Sequence, residues 1–317
     1  MTPTMTLTAP PASVAPPAAS PAPAVTTDWL TRCVADEQEF FATHWRTAPA
    51  VLRPADPPVD VFTVAELDGL LDHGLLKVPY VGLVHEDRHV PTERFCEPRV
   101  VLGEVVEDYA DAASVRGLIR DEQATVLLRY VDQWHQGVRT LTGALAERFG
   151  RQVEAFFFLT PAGTQGRPVH RDDADVLAIQ ISGEKRWRVH AGPADGNWEP
   201  SREDTDPGEV LLDTVLRPGE VLYVPRGFAH FACAVGDEPS AHLSLTVREV
   251  GTANLYALLQ ALVTGTVDLP GRPLDDAAMV AAADTLITHS RETLAGLTPQ
   301  ALIEHARTLM RGALPAE

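Results

Sequence analysis

Between residues 151 and 250 the chain reads as a run of short β-strands with no helix between them, which restricts its architecture more than any other feature. Segments 155–160, 175–181, 185–190, 209–212, 220–224 and 241–247 are strand-length runs rich in Val, Ile, Leu, Phe and Tyr. Gly183-Glu184 and Pro218-Gly219 supply turns between them. Strands that follow one another this closely pair antiparallel and enclose a core between two layers. The pattern predicts a sandwich or a jelly-roll barrel.

The flanks have a different rhythm. Over 28–150 the pattern is mixed α/β. Asp36-Glu37-Gln38-Glu39-Phe40-Phe41 leads toward Trp45 as a helical stretch with aromatic anchors, and Thr63-Val64-Ala65-Glu66-Leu67 resembles a capping box. Residues 78–84 read as a strand. Residues 131–149 read as one amphipathic helix with Val131, Trp134, Val138, Leu141, Leu145 and Phe149 on its stripe, stopped by Gly150. Over 251–317 three helices are expected, at 255–263, 275–290 and 299–314. Residues 1–27 are almost entirely Pro, Ala, Thr, Ser and Val, a tract that cannot bury enough surface to offset its chain entropy and reads as a disordered tail. The fold class is α+β with a mainly β core.

Twenty-six Lys and Arg stand against 44 Asp and Glu, a formal charge of −18. Such a surface repels a phosphate backbone, so direct nucleic-acid binding is not expected, whereas a basic protein partner remains compatible. The three cysteines, Cys33, Cys96 and Cys233, lack metal-site spacing and suit a reducing compartment. No apolar run reaches membrane-span length and no secretion signal is visible, so a cytoplasmic location is expected.

Within the strand-rich region lie Val169-His170-Arg171-Asp172-Asp173 and, sixty residues after His170, Pro225-Arg226-Gly227-Phe228-Ala229-His230. Two imidazoles and one carboxylate form the set that holds iron(II) on one face and leaves the other open. On a strand, His170 and Asp172 at i and i+2 point to the same side and can chelate one ion, with His230 closing the site from a distant strand. His-x-Asp alone occurs by chance in many proteins. Here the turn-forming loop 160–168 precedes it, and His230 follows a strand and a glycine turn.

These residues are similar to those of a known family. Thr160-Pro161, Gln165-Gly166, His170-x-Asp172-Asp173, Gln180-x-x-Gly183-Glu184-Lys185-x-Trp187-Arg188 and Pro225-Arg226-Gly227-Phe228-x-His230 resemble the JmjC-type ribosomal oxygenases. Phe40-Phe41-x-x-x-Trp45, with Pro49 and Arg53, resembles that family's entry segment. The resemblance covers roughly 36–250 and implies a double-stranded β-helix, the jelly-roll barrel of the cupin group. It implies an iron(II)- and 2-oxoglutarate-dependent oxygenase that uses dioxygen to hydroxylate a protein or peptide side chain, with a ribosomal protein as the family's substrate. His170, Asp172 and His230 match the iron ligands. Lys185, fifteen residues past His170, matches the lysine that holds the distal carboxylate of 2-oxoglutarate, and Thr246 matches a hydroxyl that helps bind it. Without the resemblance, the preferred reading of Lys185 is an exposed turn lysine beside Glu184.

The chain also departs from the family. Phe158 stands where a tyrosine is usual, Phe156 where a polar residue is common, and Arg171 where an aromatic is common. These positions are expected to face or border the substrate pocket. Asp173 is expected either to orient a ligand or to be a solvated acid, and His190 and His242 are expected to be ordinary hydrogen-bonded histidines. The region 251–317 is long enough for dimerisation helices but short for the family's winged-helix domain. A free amino acid or peptide natural product as acceptor, a keto-acid-independent cupin enzyme and a non-catalytic metal-binding cupin are the competing readings.

Overall fold

The computed structural model describes residues 28–85, 88–264 and 267–312. The expected N-terminal tail lies outside the described residues. From Trp29 the chain forms α1 (Trp29–Val34) and α2 (Glu37–Glu39), then a π-helical turn at Phe40–His44 and strand β1 (Ala50–Leu52). Next come α3 (Val64–His73), β2 (Val81–His85), β3 (Arg88–His89), the hairpin β4 (Cys96–Val101) and β5 (Glu104–Ala110), α4 (Ala112–Glu122) and β6 (Thr125–Leu128). Helices α5 (Val131–Trp134) and α6 (Gln136–Phe149) lead into the expected strand region. That region holds β7 (Val153–Thr160), β8 (Ala174–Ser182), β9 (Glu184–His190), β10 (Val210–Leu216), β11 (Val221–Val224), β12 (His230–Val235) and β13 (Ser240–Arg248). Helices α7 (Thr252–Thr264), α8 (Asp276–Ala295) and α9 (Pro299–Gly312) follow, and none in the described chain is long and apolar enough to cross a membrane.

The strands make an eight-stranded sheet in the order β1-β11-β8-β13-β7-β6-β2-β3 and a three-stranded sheet β10-β9-β12. Period-two alternation sorts their side chains between two cores. Phe157, Leu159, Leu177, Ile179, Leu243 and Leu245 face outward and join Leu141, Leu145 and Phe149 of α6. Val176, Ala178, Leu222 and Val224 face inward and meet Trp187, Val189, Leu216 and Ala232 from the smaller sheet. The inward core is the interior of the predicted jelly roll.

Several boundaries differ from the sequence reading. The capping box is present, with Glu66 N–H donating to the Thr63 hydroxyl and Glu66 accepting from Thr63 N–H at 2.6 Å. The strand expected from Val78 begins only at Val81, because Pro79 has no N–H to give a ladder. The helix expected over 131–149 breaks at His135, whose backbone is extended and whose Nδ1 accepts the Val138 N–H at 3.3 Å, capping α6. The imidazole packs edge-on to Phe62, with centroids 5.1 Å apart, so tertiary contact fixes the break. Strand β12 was not anticipated at all. Its sequence His-Phe-Ala-Cys-Ala-Val has few strong strand formers, and pairing with β9 supplies what propensity does not.

The N-terminal strands belong to the same sheet as the barrel. Ala50 pairs with Tyr223, and Trp45 stacks on Phe149 with centroids 4.8 Å apart. Beneath them lies a buried ionic network. Asp175, 0% exposed, accepts from the Tyr223 hydroxyl at 2.7 Å, from Arg46 Nε at 3.1 Å and from Arg226 N–H at 3.2 Å. Removing one partner of such a network leaves the others buried and unpaired. Asp175→Ala should therefore cost about 3–5 kcal/mol in denaturant unfolding, whereas breaking an exposed pair such as Arg120–Asp121 should leave the unfolding midpoint essentially unchanged.

Candidate metal centre

His170 lies in the segment between β7 and β8, outside any regular strand, and His230 is the first residue of β12. The expectation that His170 and Asp172 sit on a strand is therefore corrected. Segment 164–170 pairs irregularly along the free edge of β12, with bridges Gln165–Cys233 and His170–His230. His170 N–H donates to His230 O at 3.1 Å, and His230 N–H donates to His170 O at 2.9 Å. Residues directly opposite in an antiparallel pair project to one face, so both imidazoles point the same way, with ring centroids 4.5 Å apart. Gly227 N–H donates to Asp172 O at 3.1 Å and keeps the chain extended beyond His170, so Asp172 returns to that face.

The three side chains converge. Asp172 Oδ1 is 3.6 Å from His170 Nε2, Asp172 Oδ2 is 3.5 Å from His230 Nε2, and one ligand atom from each residue lies within 4.8 Å of the others. His170 Nδ1 lies 2.7 Å from the Pro168 carbonyl and His230 Nδ1 lies 3.1 Å from the Phe228 carbonyl. In each case a carbonyl two residues upstream accepts a hydrogen bond from Nδ1–H, which leaves the Nε2 lone pair free to coordinate. Burial, followed by the neighbouring His230, pushes the His170 imidazolium down to about 4. Burial pushes the Asp172 carboxyl up, but His230, His170 and Arg167 pull it further down, below its ordinary value. An ionised carboxylate beside an Nε2 already free of its proton is a donor set that suits a divalent metal ion.

Arg171, between the two, projects the other way. It is buried, and its guanidinium donates to Asp204 at 2.6 Å, Gly227 O at 2.6 Å, Ala191 O at 3.0 Å and Pro207 O at 3.3 Å. Rather than lining a substrate pocket, as expected, it clamps the 191–208 loop and the His230 turn onto the ligand segment. Asp173 accepts from Arg226 Nε at 2.6 Å and ties the same turn.

Lys185 is buried at 3% exposure on the inner face of β9, so the turn-lysine reading fails. Its Nζ donates to the Thr160 hydroxyl at 3.1 Å, lies 3.4 Å from His242 Nδ1 and sits 5.9 Å from the centre of the Trp187 ring. Among the described residues no carboxylate pairs with it, and burial depresses the ammonium to about 7. Trp187 spans the interior toward the triad, its ring 5.4 Å from that of His242 and 6.0 Å from that of His230. Its Nε1 and the Gln180 Oε1 are buried without partners.

Residues 133–255 match the family described as the JmjC domain. This chain carries a JmjC domain. It is 30% identical over 234 residues to "Ribosomal oxygenase 1" of Gallus gallus, covering 69% of this chain and 36% of that protein. It is 33% identical over 189 residues to the "Bifunctional lysine-specific demethylase and histidyl-hydroxylase NO66" of Drosophila persimilis, covering 57% of this chain and 26% of that protein. The chain thus spans about a quarter to a third of the length of these curated relatives. Among solved structures, the Escherichia coli ribosomal oxygenase YcfD superposes with a TM-score of 0.54 at 22% identity, covering 84% of this chain and 68% of that one. At that identity the likeness establishes the fold.

The JmjC interior contains groups that sequence reasoning undervalued. His242 faces Lys185 and is stacked on Phe158 with ring centroids 4.8 Å apart and planes 3° from parallel. Burial, then the Lys185 charge, hold its imidazole well below the ordinary value. The register that brings His242 opposite Phe158 and Gln180 was the signal, and it is readable only once the strands are paired. Thr246 lies on the same inner face of β13, two pleats from His242, with its hydroxyl 3.5 Å from Glu154 O. It does not join the Lys185 cluster; Thr160 supplies the hydroxyl there.

Proposed function

We propose that this chain is an iron(II)- and 2-oxoglutarate-dependent oxygenase that hydroxylates a side chain of a protein or peptide. One observation carries the reading: a buried ammonium with no carboxylate partner among the described residues occupies the same barrel as a convergent His-Asp-His triad. An isolated buried cation is costly, and a carboxylate arriving from outside would relieve it. His170, Asp172 and His230 hold the metal, Lys185 receives the distal carboxylate of the keto acid, and Thr246 offers a hydroxyl from the β13 wall. When bound, the iron couples oxidative decarboxylation of 2-oxoglutarate by dioxygen to insertion of one oxygen atom into a substrate C–H bond, with succinate and carbon dioxide as the other products. The chain orients these partners and excludes water from the interior, while Phe158 presents a carbon face to it.

The names of the relatives support this reading. The E. coli protein was solved "in complex with Cobalt and 2-oxoglutarate", and "ribosomal oxygenase" favours a ribosomal protein as the substrate. A non-catalytic cupin would have no use for Lys185. The deciding experiment is anaerobic titration of the iron(II)-loaded protein with 2-oxoglutarate. The visible charge-transfer band of a chelated keto acid is expected, and its absence despite bound iron would return the non-oxygenase cupin to first place. The three free cysteines favour a reducing compartment, and we assign the protein to the cytoplasm.

We also infer that the C-terminal helices pair two copies. Helix α8 buries none of its residues, yet it shows Met279, Val280, Ile287 and Leu294 at 47–68% exposure. Apolar surface of that extent is ordinarily covered. Sedimentation velocity should find a dimer that Ile287→Glu converts to monomer; a wild-type monomer at tens of micromolar would sink the assignment.

A further inference from the structure

Strands β6 and β2 carry the large sheet onward past β7, and the registers fix what lies on their inner face. Leu128 pairs with Phe157 and Leu127 with Phe158, so Arg129 comes next, beside Phe156. Val81 pairs with Leu128, which sets Tyr80 opposite Arg129 and Gly82 opposite Leu127. Phe156 and Phe158 point away from the outer core, to the side on which His242 meets Lys185. Arg129 therefore stands on a continuation of the barrel's inner surface.

The arginine is unusual for that position. It is half-buried, its Nη1 donates to Pro79 O at 3.2 Å, and no carboxylate of the described residues pairs with it. Burial lowers its pKa, so the surroundings disfavour the charge that the residue always carries. The fold nevertheless makes room for it. The guanidinium lies on the bare backbone of Gly82, where a Cβ would stand 2.6 Å from Nη1 and 3.0 Å from Nη2. Tyr130, held at a φ of 51° that a bulky residue rarely adopts, tilts over Phe156 with centroids 5.2 Å apart. The Tyr80 hydroxyl donates to Gln133 Oε1 at 3.2 Å, which steadies the far side.

We infer that Arg129, which the register sets beside Phe156 and opposite Tyr80, binds a carboxylate of the substrate, supplied by an acidic side chain or by a chain's carboxyl terminus, and so orients the acceptor toward the triad. The inference rests on the oxygenase reading. There the keto acid's own carboxylates are taken up by the metal and by Lys185, leaving Arg129 for the substrate. A planar guanidinium fork matches a carboxylate with two parallel hydrogen bonds, which a half-buried position strengthens relative to open water.

The test uses the full chain loaded with manganese(II) and 2-oxoglutarate. The probe is an array of degenerate hexapeptides with Asp, Glu, Asn or Gln at one fixed position, each with a free or an amidated C-terminus. Wild type should favour carboxylate members over their amide counterparts by about tenfold. Preference in the Asp/Glu arm identifies a side chain, and preference in the free-terminus arm identifies a chain end. Arg129→Gln should abolish the preference. Gly82→Ala keeps the arginine but takes the space beneath its guanidinium; it should weaken the preference by about threefold or more, and it serves if the first variant does not fold. Titration with 2-oxoglutarate after iron(II) loading is run on all three proteins. A wild type indifferent to carboxylates, or a preference that survives Arg129→Gln, overturns the inference. Loss of the charge-transfer band in Arg129→Gln alone overturns it in favour of a cosubstrate role. No band in wild type overturns the oxygenase reading, and the inference with it.

Discussion

Asp172→Ala is expected to abolish turnover and to weaken iron(II) binding by more than about 100-fold, since even losing an outer-sphere partner of a metal ligand typically costs 10- to 100-fold. Asp172 stands between the two imidazoles, 3.6 Å from one Nε2 and 3.5 Å from the other, so its loss removes both a donor and the only negative charge in the triad. His170→Ala should do the same. The apo-proteins should remain folded, because the backbone bonds between His170 and His230 do not depend on either side chain. Isothermal titration with iron(II) under argon, with circular dichroism of each variant, separates lost metal from lost fold. Near-wild-type iron affinity in a folded Asp172→Ala protein would remove Asp172 from the ligand set. Arg171→Leu offers the contrast. It leaves all three donors in place but cuts four hydrogen bonds to the 191–208 loop and the His230 turn, so it should lower stability as well as metal affinity.

How much of this was legible in the chain depended on how local the determining physics is. The strands β7, β8, β11 and β13 announce themselves through hydrophobic runs between turn residues, β9 through its alternating Trp187 and Val189, and the jelly roll follows from their spacing. His170, Asp172 and His230 stand out in the sequence as candidate ligands because three chelating side-chain types sit at recognisable positions, and the fold brings them together. The reason for their convergence was not found. It lies in an irregular pairing of 164–170 with β12, a strand of small residues whose existence depends on β9 already being there. Arg171 illustrates the same limit, since no local pattern says that four partners wait for it between Ala191 and Gly227. His242 was assigned a bland role because its neighbours on β7 and β8 are more than sixty residues away along the chain. Register decides such positions, and register is a property of the folded sheet.

Lys185→Met should make the apo-protein more stable and nearly unable to bind 2-oxoglutarate. The ammonium is buried with a hydroxyl and an imidazole for company, and its pKa falls from 10.5 in the unfolded chain to about 7. Between those two values the unfolded chain holds more protons than the folded one, so wild-type stability should rise as pH climbs from about 7 to 10.5. Below about 7 the full penalty is present, on the order of several kcal/mol by linkage. Methionine fills similar space without charge, so the variant should melt several degrees higher at neutral pH and lack that rise. Cosubstrate binding should move the other way. A carboxylate that arrives to find no ammonium forfeits about 2–5 kcal/mol, or roughly 30-fold to several thousand-fold in Kd. Wild-type affinity should itself decline as pH rises above about 7, because the empty site surrenders the proton that the bound carboxylate requires. Melting curves and charge-transfer titrations of both proteins across pH 6 to 9 measure these effects together. A variant no more stable than wild type and unchanged in 2-oxoglutarate affinity would mean that Lys185 is tolerated for packing alone. Gain of stability with loss of affinity would identify a charge kept in the core at the expense of the fold because a ligand needs it.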